Sequence, residues 1–135
     1  MSPKEIIKDF HNSNIIKDLD LVEKFYHKDC ELHWNSTKYF RILKYNDILE
    51  YYKSISDSYV SLRNEISVIL VEDNFVTVRH TVYARTIENQ DEEIPLVHYI
   101  TIWEIKDGKL FRGYQISQLA DDDAIEANSF SEIKV

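Results

Sequence analysis

The sequence predicts an α+β domain in which helices pack on one face of a bent antiparallel sheet. Three observations carry this. Apolar residues recur at helical spacing in three stretches before Asn64, and from Asn64 onward the period changes to two. The pairs Asp73-Asn74 and Asp107-Gly108 then cut the alternating region into long hairpin strands.

The elements follow in order. Ser2-Pro3-Lys4-Glu5 is a capping box with proline at the first helical position, and Ile6, Ile7 and Phe10 continue it as a helix. Asn12-Ser13-Asn14 weakens that helix. A second one starts at Asp18 or Asp20, with Leu21, Val22, Phe25 and Tyr26 as its apolar stripe, and ends at His27-Lys28-Asp29. Cys30 to Asn35 reads as a short strand. Asn46-Asp47 opens a third helix, one side of which is Ile48, Tyr51, Tyr52, Ile55 and Tyr59. Glu65 to Glu72 and Phe75 to Ile87 are strands, Glu88 to Glu93 is an acidic loop, and Pro95 to Lys106 and Lys109 to Gln118 form the last hairpin. Gly108 accepts the positive φ that such a turn needs. A tail begins at about residue 119, with Asp121-Asp122-Asp123 and then Phe130 to Val135, either a short helix with a frayed end or a loose extra strand. The whole of 1–135 is one domain by length, without repeat or linker.

Composition removes several classes of function. With 44% hydrophobic and 30% charged residues the chain is ordinary for a globular protein. No leader and no apolar run near the membrane-spanning length is present, so no membrane association is expected. A lone cysteine, Cys30, fits a reducing compartment and a cytoplasmic location, which makes the Asn35-Ser36-Thr37 sequon incidental. A net charge of −8 repels phosphate backbones, so no nucleic acid is expected as a partner. Two glycines in all cannot cradle the phosphates of a nucleotide cofactor.

Alternation along each strand gives two faces. Val76, Val78, His80, Val82 and Ala84 share one face and look inward, which makes His80 a polar group on an apolar wall. In the next strand His98, Ile100, Ile102 and Glu104 oppose Val97, Tyr99, Thr101, Trp103 and Ile105. In the last, Phe111, Gly113, Gln115 and Ser117 oppose Leu110, Arg112, Tyr114 and Ile116. Both faces of these two strands are partly apolar. Helices cover only one face, so a second subunit is the economical cover for the other.

The segments "KDLDLVEKFYHKDCELHW", "KYNDILEYYKSI" and "IWEIKDGKLFRGYQIS", in this order and spacing, resemble the NTF2-like superfamily over about residues 3–118. This is the cystatin-like α+β cone of the SnoaL-like polyketide cyclases and the ketosteroid isomerases. The resemblance implies three helices, a curved sheet around an internal pocket, and in many members a dimer through the convex face. It also implies catalytic positions that this chain fills differently. The isomerase base falls at or next to Trp34, the oxyanion-binding tyrosine near Phe10, the second aspartate near Ile100, and the cyclase aspartate close to Gln115. Lys44 stands where members often have glycine before the third helix. None of these residues moves protons as a carboxylate does.

His80 and His98 are therefore the candidate catalytic residues, an acid or base and a partner; otherwise each is a buried histidine satisfied by a neighbour. The resemblance sets Trp34, Ile100 and Gln115 toward the pocket and His98 with them. Phe10, Tyr26, Tyr51, Tyr52 and Phe111 complete a ligand pocket, or fill the cone as core. Tyr83, Tyr99, Trp103 and Tyr114, on the opposite faces, are the expected dimer interface. His33 faces outward, His11 and His27 lie at the surface near helix ends, and Cys30 is an inert buried thiol. His80, His98 and Glu104 are imaginable metal ligands, but no His-x-His, His-Glu-x-x-His or paired-cysteine spacing supports a metal, and no cofactor motif is present.

The expected function is binding of a small hydrophobic molecule in the pocket of a homodimer, with cofactor-free isomerase or cyclase chemistry as its enzymatic form. The rival is a non-catalytic dimeric binding or protein-interaction module. A cupin-like barrel is the rival fold, and the helices ahead of the long strands argue against it.

Overall fold

The computed structural model describes residues 1–120. The sequence reading of the tail, Asp121-Asp122-Asp123 and Phe130 to Val135, falls outside the described residues. The elements are α1 (Pro3–Asn12), α2 (Asp20–Phe25), β1 (Tyr26–Asn35), β2 (Phe40–Lys44), α3 (Tyr45–Ser56), β3 (Tyr59–Glu72), β4 (Phe75–Thr86), β5 (Ile94–Lys106) and β6 (Lys109–Leu119).

The local reasons for the helices are visible. The Ser2 hydroxyl accepts from the Glu5 backbone N–H at 3.2 Å, and Pro3 occupies the first helical position. The α1 helix stops where the Ser13 hydroxyl turns back to the Phe10 carbonyl at 2.7 Å. In α3 the Asp47 carboxylate accepts from the Lys44 backbone N–H at 2.9 Å, and Ile48 and Tyr52 supply the buried side. Tyr59 is the first residue of β3 rather than the last of this helical face, because the chain turns at Asp57-Ser58.

The strands form one six-stranded sheet in the order β2-β1-β6-β5-β4-β3. All neighbours are antiparallel except β1 and β6, which run parallel. The sheet curves so far that α3 touches β1 and β2 near one edge and β3 at the other, while α1 packs on β3 and β4. Three strand expectations need correction. β1 begins at Tyr26 and β3 at Tyr59, and β2 is an additional short edge strand. Consecutive polar residues, His27-Lys28-Asp29 in β1 and Arg63-Asn64 in β3, break the alternation there, and the five residues of β2 are too few to show one.

Turns and one glycine fix the register. Asp107 and Gly108 both have positive φ, 54° and 72°, in the two-residue turn between β5 and β6. Gly113 is required for another reason. A Cβ there would lie 2.6 Å from Trp103 Cζ3 and 2.8 Å from Leu32 Cδ1. The Trp103 indole lies over the glycine on the concave face and is 2% exposed.

Candidate functional site

The concave side of the sheet, α1, α3 and the segment 13–16 line a cavity of about 440 Å³. Aromatic and aliphatic side chains make most of its wall, and several of the polar groups among them are paired within the protein. The Tyr26 and Tyr52 hydroxyls share a hydrogen bond of 2.9 Å. The Tyr51 and Tyr99 hydroxyls also lie near enough to affect each other's ionisation. Trp34 Nε1–H donates to the Ser117 hydroxyl at 2.8 Å, and the Thr101 hydroxyl donates to Gln115 Oε1 at 2.8 Å. Burial raises the Tyr26, Tyr51, Tyr52 and Tyr99 hydroxyls above the usual tyrosine range, so these groups stay protonated.

Beside these paired groups, one cluster stands out. His80, from β4, stacks on Tyr99 with ring centroids 5.0 Å apart and planes 11° apart. On its other side lies His11, from α1, at 4.3 Å. Both rings are buried, and neither nitrogen of His80 nor Nε2 of His11 has a hydrogen-bond partner among the described residues. Asn64 Nδ2–H donates to the His11 carbonyl at 3.2 Å and holds this end of α1 against β3. Burial, with the adjacent His11 adding to it, holds His80 well below the usual histidine range. Burial likewise lowers His11 to about 4. At neutral pH both are uncharged imidazoles, each with one donor and one acceptor nitrogen. Leaving such groups unpaired costs about 1–3 kcal/mol each.

Phe10, Tyr26, Trp34, Tyr51, Tyr52 and Gln115 all lie on the cavity wall with His80. Three candidates do not. His98 and Ile100 leave the convex face of β5, because His98 pairs across the ladder with Thr81 and Ile100 with Arg79, both outward residues of β4. The Thr81 hydroxyl meets His98 Nδ1 at 2.8 Å, and Ile100 is 46% exposed. Phe111 is displaced by an irregularity between Glu104 and Ile105, which gives the inward place to Leu110. Its ring sits instead among His27, Lys106 and Arg112. The same register reverses part of the expected dimer surface. Tyr99 pairs with His80 and Trp103 with Val76, so both are buried on the concave side. Tyr83, under the Arg63 guanidinium, and Tyr114, beside His33, remain on the convex face.

Two histidines expected at the surface are buried. His27 is held by Asp107 at 3.3 Å through Nε2, while Nδ1 accepts from the Asp29 N–H at 3.0 Å, so both nitrogens are used. His11 is the residue that sequence reasoning missed at the site. Its signal was its position four residues after Ile7, which puts it on the buried face of α1. Cys30 is buried, and burial pushes its thiol up to about 11.

Known proteins fit this geometry. The profile of the SnoaL-like domain matches residues 15–113. IdmH from Streptomyces antibioticus, a candidate polyketide cyclase, superposes with a TM-score of 0.70 at 14% identity, over 94% of this chain and 97% of that one. AclR from Streptomyces galilaeus, a candidate hydroxylase, gives 0.68 at 15% identity, over 94% and 93%. An LEH-like epoxide hydrolase from M. tuberculosis gives 0.65 at 12% identity, over 92% and 86%. No curated protein matches the chain at a significant level. The curved open sheet, the helices across its concave side and the profile match over most of the chain agree: the chain belongs to the SnoaL-like domain family, within the NTF2-like superfamily.

Proposed function

We propose that this protein binds a small hydrophobic molecule in the cone cavity and presents its polar end to His80. The observation that carries this reading is the pair of unpartnered nitrogens on His80, stacked between His11 and Tyr99 on the cavity wall. Both nitrogens are closed off as the rings stand, so a ligand carbonyl or hydroxyl reaches them through a shift of the His80 ring; it would then satisfy groups that the protein leaves unpaired, while the apolar wall takes the remainder.

The chemistry open to such a ligand is cofactor-free proton transfer, the isomerase or cyclase type. Among the described residues no carboxylate lines the cavity, so neutral His80 is the available base, with protonated tyrosines as donors toward a developing oxyanion. Native mass spectrometry on freshly purified protein tests the reading against the chain mass of 16.1 kDa. Excess mass lost on denaturation is expected in the wild type and in His98→Gln, and is expected to vanish in His80→Leu. A clean mass in every variant, with no turnover of hydrophobic carbonyl compounds, would sink it.

The second reading is a dimeric module without chemistry. It is favoured by the apolar convex face, where Ile100, Ile102, Tyr114 and Ile116 are 40–66% exposed. Sedimentation of Ile102→Glu beside the wild type separates the cases: a dimer in the wild type and a monomer in the variant support that interface, and a wild-type monomer refutes it.

A further inference from the structure

The cavity wall is chemically lopsided. The chain has 24 acidic residues, yet none among the described residues reaches the wall. Two cations do, Lys38 in the turn between β1 and β2 and Arg41 on β2. Arg41 pairs across the ladder with Trp34, so both side chains leave the concave face. No carboxylate pairs with Arg41 among the described residues, and its guanidinium lies 5.9 Å from the Tyr39 ring. Its charge reaches the Tyr51 hydroxyl on the cavity wall. At the other end His11 and His80 are buried and uncharged, so a charged group there would lose its hydration without a counter-ion.

We infer that the ligand of this cavity is an amphiphilic carboxylate, bound in one direction. Its acid group lies against Arg41 and Lys38, its apolar body along Trp34 and Tyr51, and a neutral oxygen faces His80. This rests on the ligand-binding reading above and adds the charge and orientation of the ligand. A guanidinium without an ion partner among the described residues, turned toward a cavity, suits a carboxylate in a two-point contact. The competing role for Arg41 is to guard the β2 edge against pairing with other chains, since inward-pointing charges serve that purpose.

Calorimetry at pH 7.5 with 6-hydroxy-2-naphthoic acid and its methyl ester distinguishes these. The wild type is expected to hold the acid at least about tenfold more tightly than the ester, as a charge-assisted contact requires. Arg41→Gln is expected to lose that preference while still binding the ester, which also shows that the variant is folded. Arg41→Lys is expected to keep only part of it, because an ammonium retains the charge but not the two-point contact. Equal affinity for acid and ester in the wild type would overturn the inference and leave the ligand-binding reading standing. An unchanged preference in Arg41→Gln, with aggregation appearing, would assign Arg41 to the edge. Acid binding seen only after replacing Asp121, Asp122 and Asp123 by Asn would give the guanidinium to the chain's own tail and also overturn it. Binding of neither compound, with no co-purified mass, would remove the reading beneath it as well.

Discussion

The two faces of β5 both carry large apolar side chains and do different things. On the concave face Tyr99 and Trp103 are 9% and 2% exposed. On the convex face Ile100 and Ile102 are 46% and 40% exposed. Inside, the Tyr99 ring stacks on His80 and its hydroxyl lies toward Tyr51, while the Trp103 indole packs on Tyr26 and Gly113. Outside, Ile100 and Ile102 bring no polar atom and stand exposed between His98 and Glu104. The difference teaches that hydrophobicity alone does not tell a cavity wall from an interface; the polar atoms carried with it do.

This contrast can be broken from its strongest point. Trp103→Ala is expected to lose about 3–5 kcal/mol, the range for emptying a buried aromatic site, whereas Ile102→Ala on the opposite face is expected to lose less than about 1 kcal/mol. Urea unfolding of both variants reads the difference directly, and equal losses would contradict the assigned faces.

Gly113→Ala comes next. Its Cβ would press on Trp103 at 2.6 Å, and overpacking of this kind costs about 1–3 kcal/mol. Adding Trp103→Leu is expected to recover part of that loss, because the clash is with the indole. A double-mutant cycle without coupling would place the glycine's role elsewhere.

The buried histidines sharpen the comparison through pH. The unfolded chain protonates His11 and His80 below about pH 6.5, while the folded chain resists, down to about 4 for His11. In that window the unfolded state binds more protons, so stability rises with pH. It is complete above about pH 6.5 and falls as the pH drops toward 4, by up to about 1.4 kcal/mol per pH unit for each imidazole. Thermal unfolding between pH 7 and pH 4.5 is expected to show this slope, and His80→Gln is expected to flatten it. The same slope in the variant would mean that other groups carry it.

Much of the fold was legible because local signals agreed. The capping box at Ser2, the period change at Asn64 and the Asp107-Gly108 turn each point to the structure observed. In β4 one face is apolar except for His80 and the other is rich in threonine and arginine, so the inward list could be read directly. In β5 both faces are partly apolar; His98 and Glu104 hint that theirs is the outer one, but the family resemblance set Ile100 toward the pocket. Only pairing with β4 decides it, and that is a long-range fact. Phe111 was lost to an irregularity at Glu104 and Ile105 that no residue type announces. His11 was missed because its nearness to the helix end outweighed its spacing from Ile7. Arg41 was missed because β2 is five residues long and alternates weakly.

The most direct test of the central claim is the nitrogen–proton correlation spectrum of the histidine rings at pH 6, recorded with and without excess 6-hydroxy-2-naphthoate and assigned through His80→Gln and His98→Gln. The account predicts that His80 shows the pattern of a neutral imidazole and that its ring signals shift when the probe enters the cavity, while those of His98 on the outer face stay in place. A charged His80 at pH 6, or a His80 indifferent to a probe that shifts His98, would contradict it.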